Sequence, residues 1–146
     1  MKLTHGTCIS VAGIGVLLRG PSGSGKSDLA LRLLNWRGMD IFLVADDQVC
    51  LDRRDHQLWA TAPQEISSTI EVRGVGLVTV ENVVEVRLRL VLDLCSLECV
   101  PRMPQENYCT IGGVTLPMYS CAPLEASAPD KVVLLARSID EEKIRL

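Results

Sequence analysis

Residues 16–34 read VLLRGPSGSGKSDLALRLL, and the succession of residue types along them decides the fold. Val16 to Arg19 is a short apolar run, the residues after it are rich in glycine, and from Lys26 onward Leu29, Ala30, Leu33 and Leu34 recur at helical spacing. A strand, a loop and a helix follow in order. Between strand and helix lies Gly20-Pro21-Ser22-Gly23-Ser24-Gly25-Lys26-Ser27, which matches G-x-x-x-x-G-K-[ST] in the context that this motif requires. Its glycines let the backbone curl so that successive N–H groups and the helix N-terminus aim at phosphate oxygens. All eight residues are therefore expected around the phosphates of ATP, with Lys26 reaching the β and γ groups and the Ser27 hydroxyl on Mg²⁺.

Upstream, the stretch from Thr7 to Arg19 is rich in Val, Ile and Leu and is broken by Gly13 and Gly15, which predicts a hairpin whose second strand is Val16 to Arg19. Downstream, the helix is expected over Lys26 to Trp36, with Gly38 as its stop. Ile41 to Ala45 is a continuous apolar run, as in a strand buried on both faces of a mostly parallel sheet. Gln48 to Ala60 reads as a second hairpin, and Val72 to Val80, carrying Gly74 and Gly76, as a glycine-interrupted strand or a loop opening into one. Val86 to Leu94 alternates strictly, predicting a half-buried strand with Val86, Leu88, Leu90, Leu92 and Leu94 on one face. Pro101 to Asn107 is a polar loop, Val114 to Cys121 a late strand, and Pro129 to Ile139 a terminal helix with the stripe Val132, Val133, Leu135, Ala136. The fold class is α/β, a mixed sheet around a P-loop, in one domain over residues 1–146.

Composition agrees with a globular domain: 47% of the 146 residues are hydrophobic and 23% charged. A net charge of −3, with two Trp, two Tyr and one Phe, gives neither attraction for phosphate backbones nor a stacking platform, so nucleic acid is not an expected partner. No apolar run is long enough to span a bilayer, and the apolar start runs straight into the phosphate loop without a small-residue cleavage site, so a cytoplasmic location is expected. None of the six cysteines falls in a C-x-x-C pair, and they are expected as reduced thiols packed as small hydrophobes.

P-loop proteins usually hold magnesium through an aspartate at the end of another strand, and two apolar runs carry one: IFLVADD, ending in Asp46 and Asp47, and LRLVLDL, with Asp93. The first is preferred, because adjacent parallel strands would set Asp46 and Asp47 beside the phosphates at the carboxyl edge. Asp93 is expected to cap or face solvent. Neighbouring aspartates on a strand point to opposite faces, so one is expected near the metal and the other elsewhere, and one of them can take the proton of an incoming hydroxyl.

The blocks HGTCISVAGIGVLLRGPSGSGKSDLALRLL, LVADDQV and IEVRGVGLVTV stand in this order from His5 to Val80. Their order and spacing resemble the catalytic domain of the HPr kinase/phosphorylase family, and the resemblance extends from His5 to about Pro123. It implies an enzyme that phosphorylates a serine of the phosphocarrier protein HPr, using ATP and Mg²⁺, on a core similar to phosphoenolpyruvate carboxykinase and usually assembled as a hexamer. By position, the resemblance makes Lys26 and Ser27 holders of phosphate and magnesium and Glu71 the second metal ligand. It puts the general base in the Asp46-Asp47 pair, family position favouring Asp47, and makes His5, Arg73 and Arg102 supporting catalytic residues.

Two departures accompany it. A counterpart of the family's N-terminal regulatory domain is not expected, and its basic Gly-Arg loop, associated with phosphorolysis, is replaced by Pro123-Leu124-Glu125-Ala126-Ser127. The implied relative is a short, alphaproteobacterial-like form with reduced or no phosphorylase activity. A P-loop kinase of a small metabolite is the alternative enzyme, but such kinases carry an arginine-rich lid and residues 101–120 hold only Arg102. An ATP-sensing module without catalysis is the alternative outside enzymes, and the aspartate pair, Glu71 and two arginines speak against it.

Overall fold

A computed structural model of the chain describes residues 2–63 and 68–141. In chain order its elements are β1 (Lys2–His5), β2 (Thr7–Val11), β3 (Ile14–Arg19), α1 (Lys26–Leu34), β4 (Ile41–Ala45), β5 (Gln48–Arg54), β6 (Gln57–Thr61), β7 (Thr69–Val72), β8 (Gly76–Thr79), β9 (Glu85–Leu94), β10 (Tyr108–Ile111), β11 (Val114–Cys121) and α2 (Ala128–Glu141). Nine strands form one sheet in the order β1-β5-β6-β9-β3-β2-β4, with β11 and then β10 branching from β9. The long strand β9 pairs β3 in parallel along one side. On its other side it pairs β6 through Glu85 to Leu88 and β11 through Val91 to Leu94, so the sheet forks there.

Strand direction, more than strand order, places the loops. β3, β9 and β11 run parallel, and β4 points the same way because antiparallel β2 lies between it and β3. The chain therefore leaves all four strands at one edge, through residues 20–25, 46–47, 95–107 and 122–127. β4 reaches that edge without being the neighbour of β3, contrary to the adjacent placement expected from the sequence. The second strand of the hairpin ending at Gly20, the short hairpin β5–β6 and both helices lie within two residues or so of their expected bounds. β1 and β10 carry no clear signal in the sequence, since KLTH and YCTI are short and largely exposed.

Two cores flank the sheet. Leu29, Ala30 and Leu33 of α1 and Val132, Val133 and Ala136 of α2 pack with Ile9, Val16, Leu18, Leu90 and Leu92 on one face. On the other, Leu17, Val44, Leu51, Leu58, Val86, Leu88, Val91 and Leu116 close a second core inside the curled sheet. The alternation of β9 is thus broken: Val86 and Leu88 face the second core, whereas Leu90, Leu92 and Leu94 face the first. The cause is a bulge, for Gly15 pairs Leu88 while the next residue, Val16, pairs Leu90. One extra residue on a strand moves everything after it to the opposite face. β9 is consequently buried on both sides, not on one.

At that bulge the backbones come unusually close, and a Cβ on Gly15 would collide with the carbonyl group of Arg87. No side chain can yield there. Gly15→Ala is expected to destabilise the domain by about 2 kcal/mol or more, in the upper range for overpacking, and a urea titration would read this as a lowered midpoint.

Candidate active site

The loop after β3 enters α1 through Gly25, whose φ of 100° lies in the left-handed region that glycine adopts without strain. The backbone N–H groups of Ser22, Gly23, Gly25, Lys26 and Ser27 find no backbone acceptor among the described residues. Donors at a helix N-terminus, left without partners, suit an anion. The Lys26 side chain is buried and its Nζ donates to the carbonyls of Gly20 at 2.7 Å and Pro21 at 3.0 Å, which satisfies the ammonium while holding it over the loop. The Ser24 hydroxyl is buried with no hydrogen-bond partner among the described residues, and a Cβ on Gly20 would stand 2.5 Å from it.

Asp46 and Asp47 follow β4 at the same edge, and the two carboxylates have different surroundings. Asp46 accepts from the Ser27 hydroxyl, at 3.0 and 3.1 Å to its two oxygens, and from Thr7 Oγ1 at 2.8 Å. Asp47 has φ 71°, a conformation that aspartate tolerates better than most residues, and its carboxylate lies 3.5 Å from His5 Nδ1 with its side chain 74% exposed. The separation comes from this left-handed turn, where the sequence suggested strand alternation.

Glu71 sits on β7, which pairs β8 in a separate two-stranded sheet. Ile70, its neighbour, is buried with Leu29 and Leu33 of α1, so the hairpin is docked on the helix that begins at Lys26. Arg73 lies at the start of the hairpin turn and Arg102 in the segment after β9, and both are exposed. Among the described residues, no hydrogen bond or ion pair joins Glu71, Arg73 or Arg102 to the cluster of Lys26, Ser27 and Asp46. The structure therefore gathers Lys26, Ser27, Asp46, Asp47 and His5 at one edge and leaves those three as approachable, unattached groups.

The donor set suits magnesium. No three His, Cys, Asp or Glu side chains converge among the described residues, but Mg²⁺ characteristically takes one or two carboxylates, completing its shell with phosphate oxygens and water. The Ser27 hydroxyl against the Asp46 carboxylate is a hard-oxygen pair of that kind.

A family model described as the HPr Serine kinase C-terminal domain matches residues 1–98. The chain belongs to this HPr kinase family. It is 44% identical over 82 residues to the HPr kinase/phosphorylase of Limosilactobacillus reuteri, covering 56% of this chain and 25% of that one. It is 34% identical over 116 residues to the HPr kinase/phosphorylase of Lactobacillus acidophilus, covering 74% and 34%. The chain thus spans about a quarter to a third of the length of these curated relatives. Its fold matches the solved Hpr(Ser) kinase/phosphatase of Coxiella burnetii with a TM-score of 0.82 at 26% identity, over 97% of this chain and 98% of that one.

Two supports of the HPr kinase-family edge are hidden in the sequence. Arg19, the last residue of β3, pairs through two nitrogens with Asp93 on β9, at 2.7 and 3.0 Å, and this hydrogen bond pushes its guanidinium above its ordinary value. Asp93, expected to cap or face solvent, is instead the partner that fixes the strand end from which the loop departs. Its place opposite Arg19 in the parallel register is invisible until the pairing of β3 with β9 is known. Thr7, fully buried, is the other; a hydroxyl amid apolar strand residues is its only signal.

Thr7→Val keeps the shape and removes the donor to Asp46, a loss expected to cost about 1–2 kcal/mol because the acceptor is ionised. Thr7→Ser should restore most of it. Chemical denaturation of the three proteins would show whether the hydroxyl or the methyl group carries the stability.

Proposed function

We propose that this domain is an ATP- and Mg²⁺-dependent protein kinase that transfers the γ-phosphoryl group to a serine of HPr. The observation that carries this reading is the unequal treatment of two adjacent carboxylates beside a glycine loop: Asp46 tied to Ser27, Asp47 exposed beside His5. Family membership and the activity for which the relatives are named supply the substrate.

In this reading the amides of Ser22, Gly23, Gly25, Lys26 and Ser27 and the Lys26 ammonium bind the phosphates, and the Ser27 hydroxyl and Asp46 carboxylate hold the metal. Held there, magnesium would supply neutralisation of the phosphate charge. Glu71, brought to α1 by its hairpin, is the second carboxylate for it. The Asp47 carboxylate accepts the serine proton as the hydroxyl attacks the γ-phosphorus, the bond to the β–γ bridging oxygen breaks and ADP leaves, and His5, at 3.5 Å, orients that carboxylate. Arg73 and Arg102 close on the transferring group, where their charge is worth most as negative charge spreads over its oxygens. The exposure of Asp47 is what an acceptor protein requires, since the base must meet a hydroxyl presented from outside.

Single-turnover transfer from ATP to HPr, measured beside nucleotide binding, tests these roles together. Asp47→Asn is expected to lose about 10²- to 10⁴-fold in rate, the usual contribution of a general base, with ATP binding retained. Glu71→Gln is expected to raise the magnesium concentration needed for half-maximal rate, because an amide keeps the volume and loses the charge. Equal, small losses in Asp46→Asn and Asp47→Asn would remove both from proton transfer.

We propose further that phosphorolysis is weak or absent. Where the family carries a basic loop, this chain has Glu125, which accepts from Lys131 at 2.7 Å, so the segment offers no net positive charge to a second phosphate. Serine-phosphorylated HPr incubated with the domain and inorganic phosphate should release pyrophosphate far more slowly than the forward reaction consumes ATP; comparable rates would refute the assignment.

A further inference from the structure

Cys95 and Cys99 open the segment that leads from β9 to Arg102, and phosphoryl transfer as derived above uses neither thiol. We infer that the two are a reversible redox pair: a low-molecular-weight disulfide joins them, a thiol parts them, and the bond resets the segment that carries Arg102. The bond stands on geometry alone, and its regulatory effect on the role proposed above for Arg102.

Six cysteines offer many pairings, and strand geometry selects this one. Cys8, Cys50 and Cys121 are buried, which withdraws them from reagents. Leu94 of β9 and Cys121 of β11 are register partners, and both face the helical core. Along an extended chain the next residue points to the opposite face, so Cys95 turns away from Cys121 even though its N–H donates to the Cys121 carbonyl at 2.9 Å. Its thiol meets the Cys99 thiol and the Ser120 hydroxyl. Cys99 is brought there by a single 3₁₀ turn, Leu97–Cys99, in which its own N–H donates to the Ser96 carbonyl at 2.9 Å. Ser96 Oγ lies 3.5 Å from Cys99 Sγ, which keeps that sulfur over the residue next to Cys95.

The two environments order the chemistry. Cys99 is exposed and Cys95 half-buried, and burial, followed by the neighbouring Cys99 thiol, pushes Cys95 up. The thiolate is the nucleophile, so Cys99 reacts first. Having lost its proton, it attacks a disulfide RSSR, forms Cys99–S–SR and releases RS⁻. Cys95 then loses its proton, attacks the Cys99 sulfur, forms the Cys95–Cys99 bond and releases the second RS⁻. Two electrons pass to RSSR, and the two protons given up by the protein leave it as two thiols. The bond closes only the short loop 95–99, and short loops restrict the unfolded chain least. Exposed or strained disulfides are the readily reduced, regulatory ones. Bringing the sulfurs to a bond length of about 2.05 Å draws the exposed end of the turn toward β9. Arg102 follows that end in the chain, and Ser96 and Leu97 border one cleft with Pro21 and Ser24 of the glycine loop. One covalent change therefore reaches both.

The native domain is equilibrated with glutathione disulfide, free thiols are alkylated, and the cysteines are mapped by mass spectrometry with cleavage after Glu98, which separates the pair. Transfer from ATP to HPr is timed on the same samples. The expected result is loss of two hydrogens confined to Cys95 and Cys99, reversed by dithiothreitol and absent from Cys99→Ser. Transfer is expected to slow about tenfold or more in the oxidised wild type, since a misplacement of about 1 Å can cost about 10²-fold. It should recover on reduction, while Cys99→Ser keeps the rate of the reduced wild type with or without glutathione disulfide. A persistent mixed disulfide at Cys99, or a bond that runs to Cys109 or Cys121, overturns the pair. The mapped bond with an unchanged transfer rate overturns its regulatory role, and equal slowing of Cys99→Ser overturns that role in favour of another thiol. A reduced wild type that transfers no phosphate defeats the kinase reading, and the regulatory role falls with it, whereas the mass map still decides the bond.

Discussion

The pairing of β3 with β9 is the constraint on which the site depends. It sets the origin of the glycine loop beside the central strand of the sheet, and Arg19 and Asp93 lock the two strand ends together with a two-nitrogen ion pair. Exposed ion pairs of ordinary geometry contribute little, but a bidentate arginine–carboxylate contact adds directional restraint. The bulge at Gly15 is the same pairing seen from its other end: it lets β9 shift faces midway, so that one strand serves both the helical core and the curled inner core.

Most of the helical layer can be read from residue spacing. Leu29, Ala30 and Leu33, and later Val132, Val133 and Ala136, lie where a 3.6-residue period puts them. The glycine loop between β3 and α1 is readable because its residue types stand at fixed positions between a strand and a helix. Sheet order is not readable in that way. Nothing local to Ile41–Ala45 says that β2 will intervene between it and β3, and nothing in the alternation of Val86–Leu94 announces a bulge, because both depend on which strand comes to lie beside which. For the same reason Asp93 reads as a solvent-facing residue and Thr7 as an ordinary strand residue: each acquires its role from a partner 74 and 39 residues away, respectively. The division between Asp46 and Asp47 is legible in outcome but not in cause, since a left-handed residue, and not pleat alternation, separates them.

The thiols divide by environment along similar lines. Burial pushes Cys8 up to about 12 and Cys121 up to about 11, so both remain protonated and behave as small apolar groups. Cys99 is exposed and Cys95 and Cys109 lie between. The expectation of packed, reduced thiols therefore describes Cys8, Cys50 and Cys121 and does not extend to Cys99.

Arg19 and Asp93 are 74 positions apart, and this spacing sets a schedule on the ribosome. At about 5–20 residues per second, about 4–15 s separate synthesis of the glycine loop from that of the strand that anchors it. Throughout that interval β2, β3 and α1 exist without β9, and Val16, Leu18 and Leu29 lack the neighbours that Leu90 and Leu92 later supply. Early local structure cannot complete the edge that carries the glycine loop, because the central strand arrives late. The nascent chain is therefore most open to misassociation before β9 emerges, and its window of vulnerability is fixed by elongation rate, whatever the stability of the finished fold.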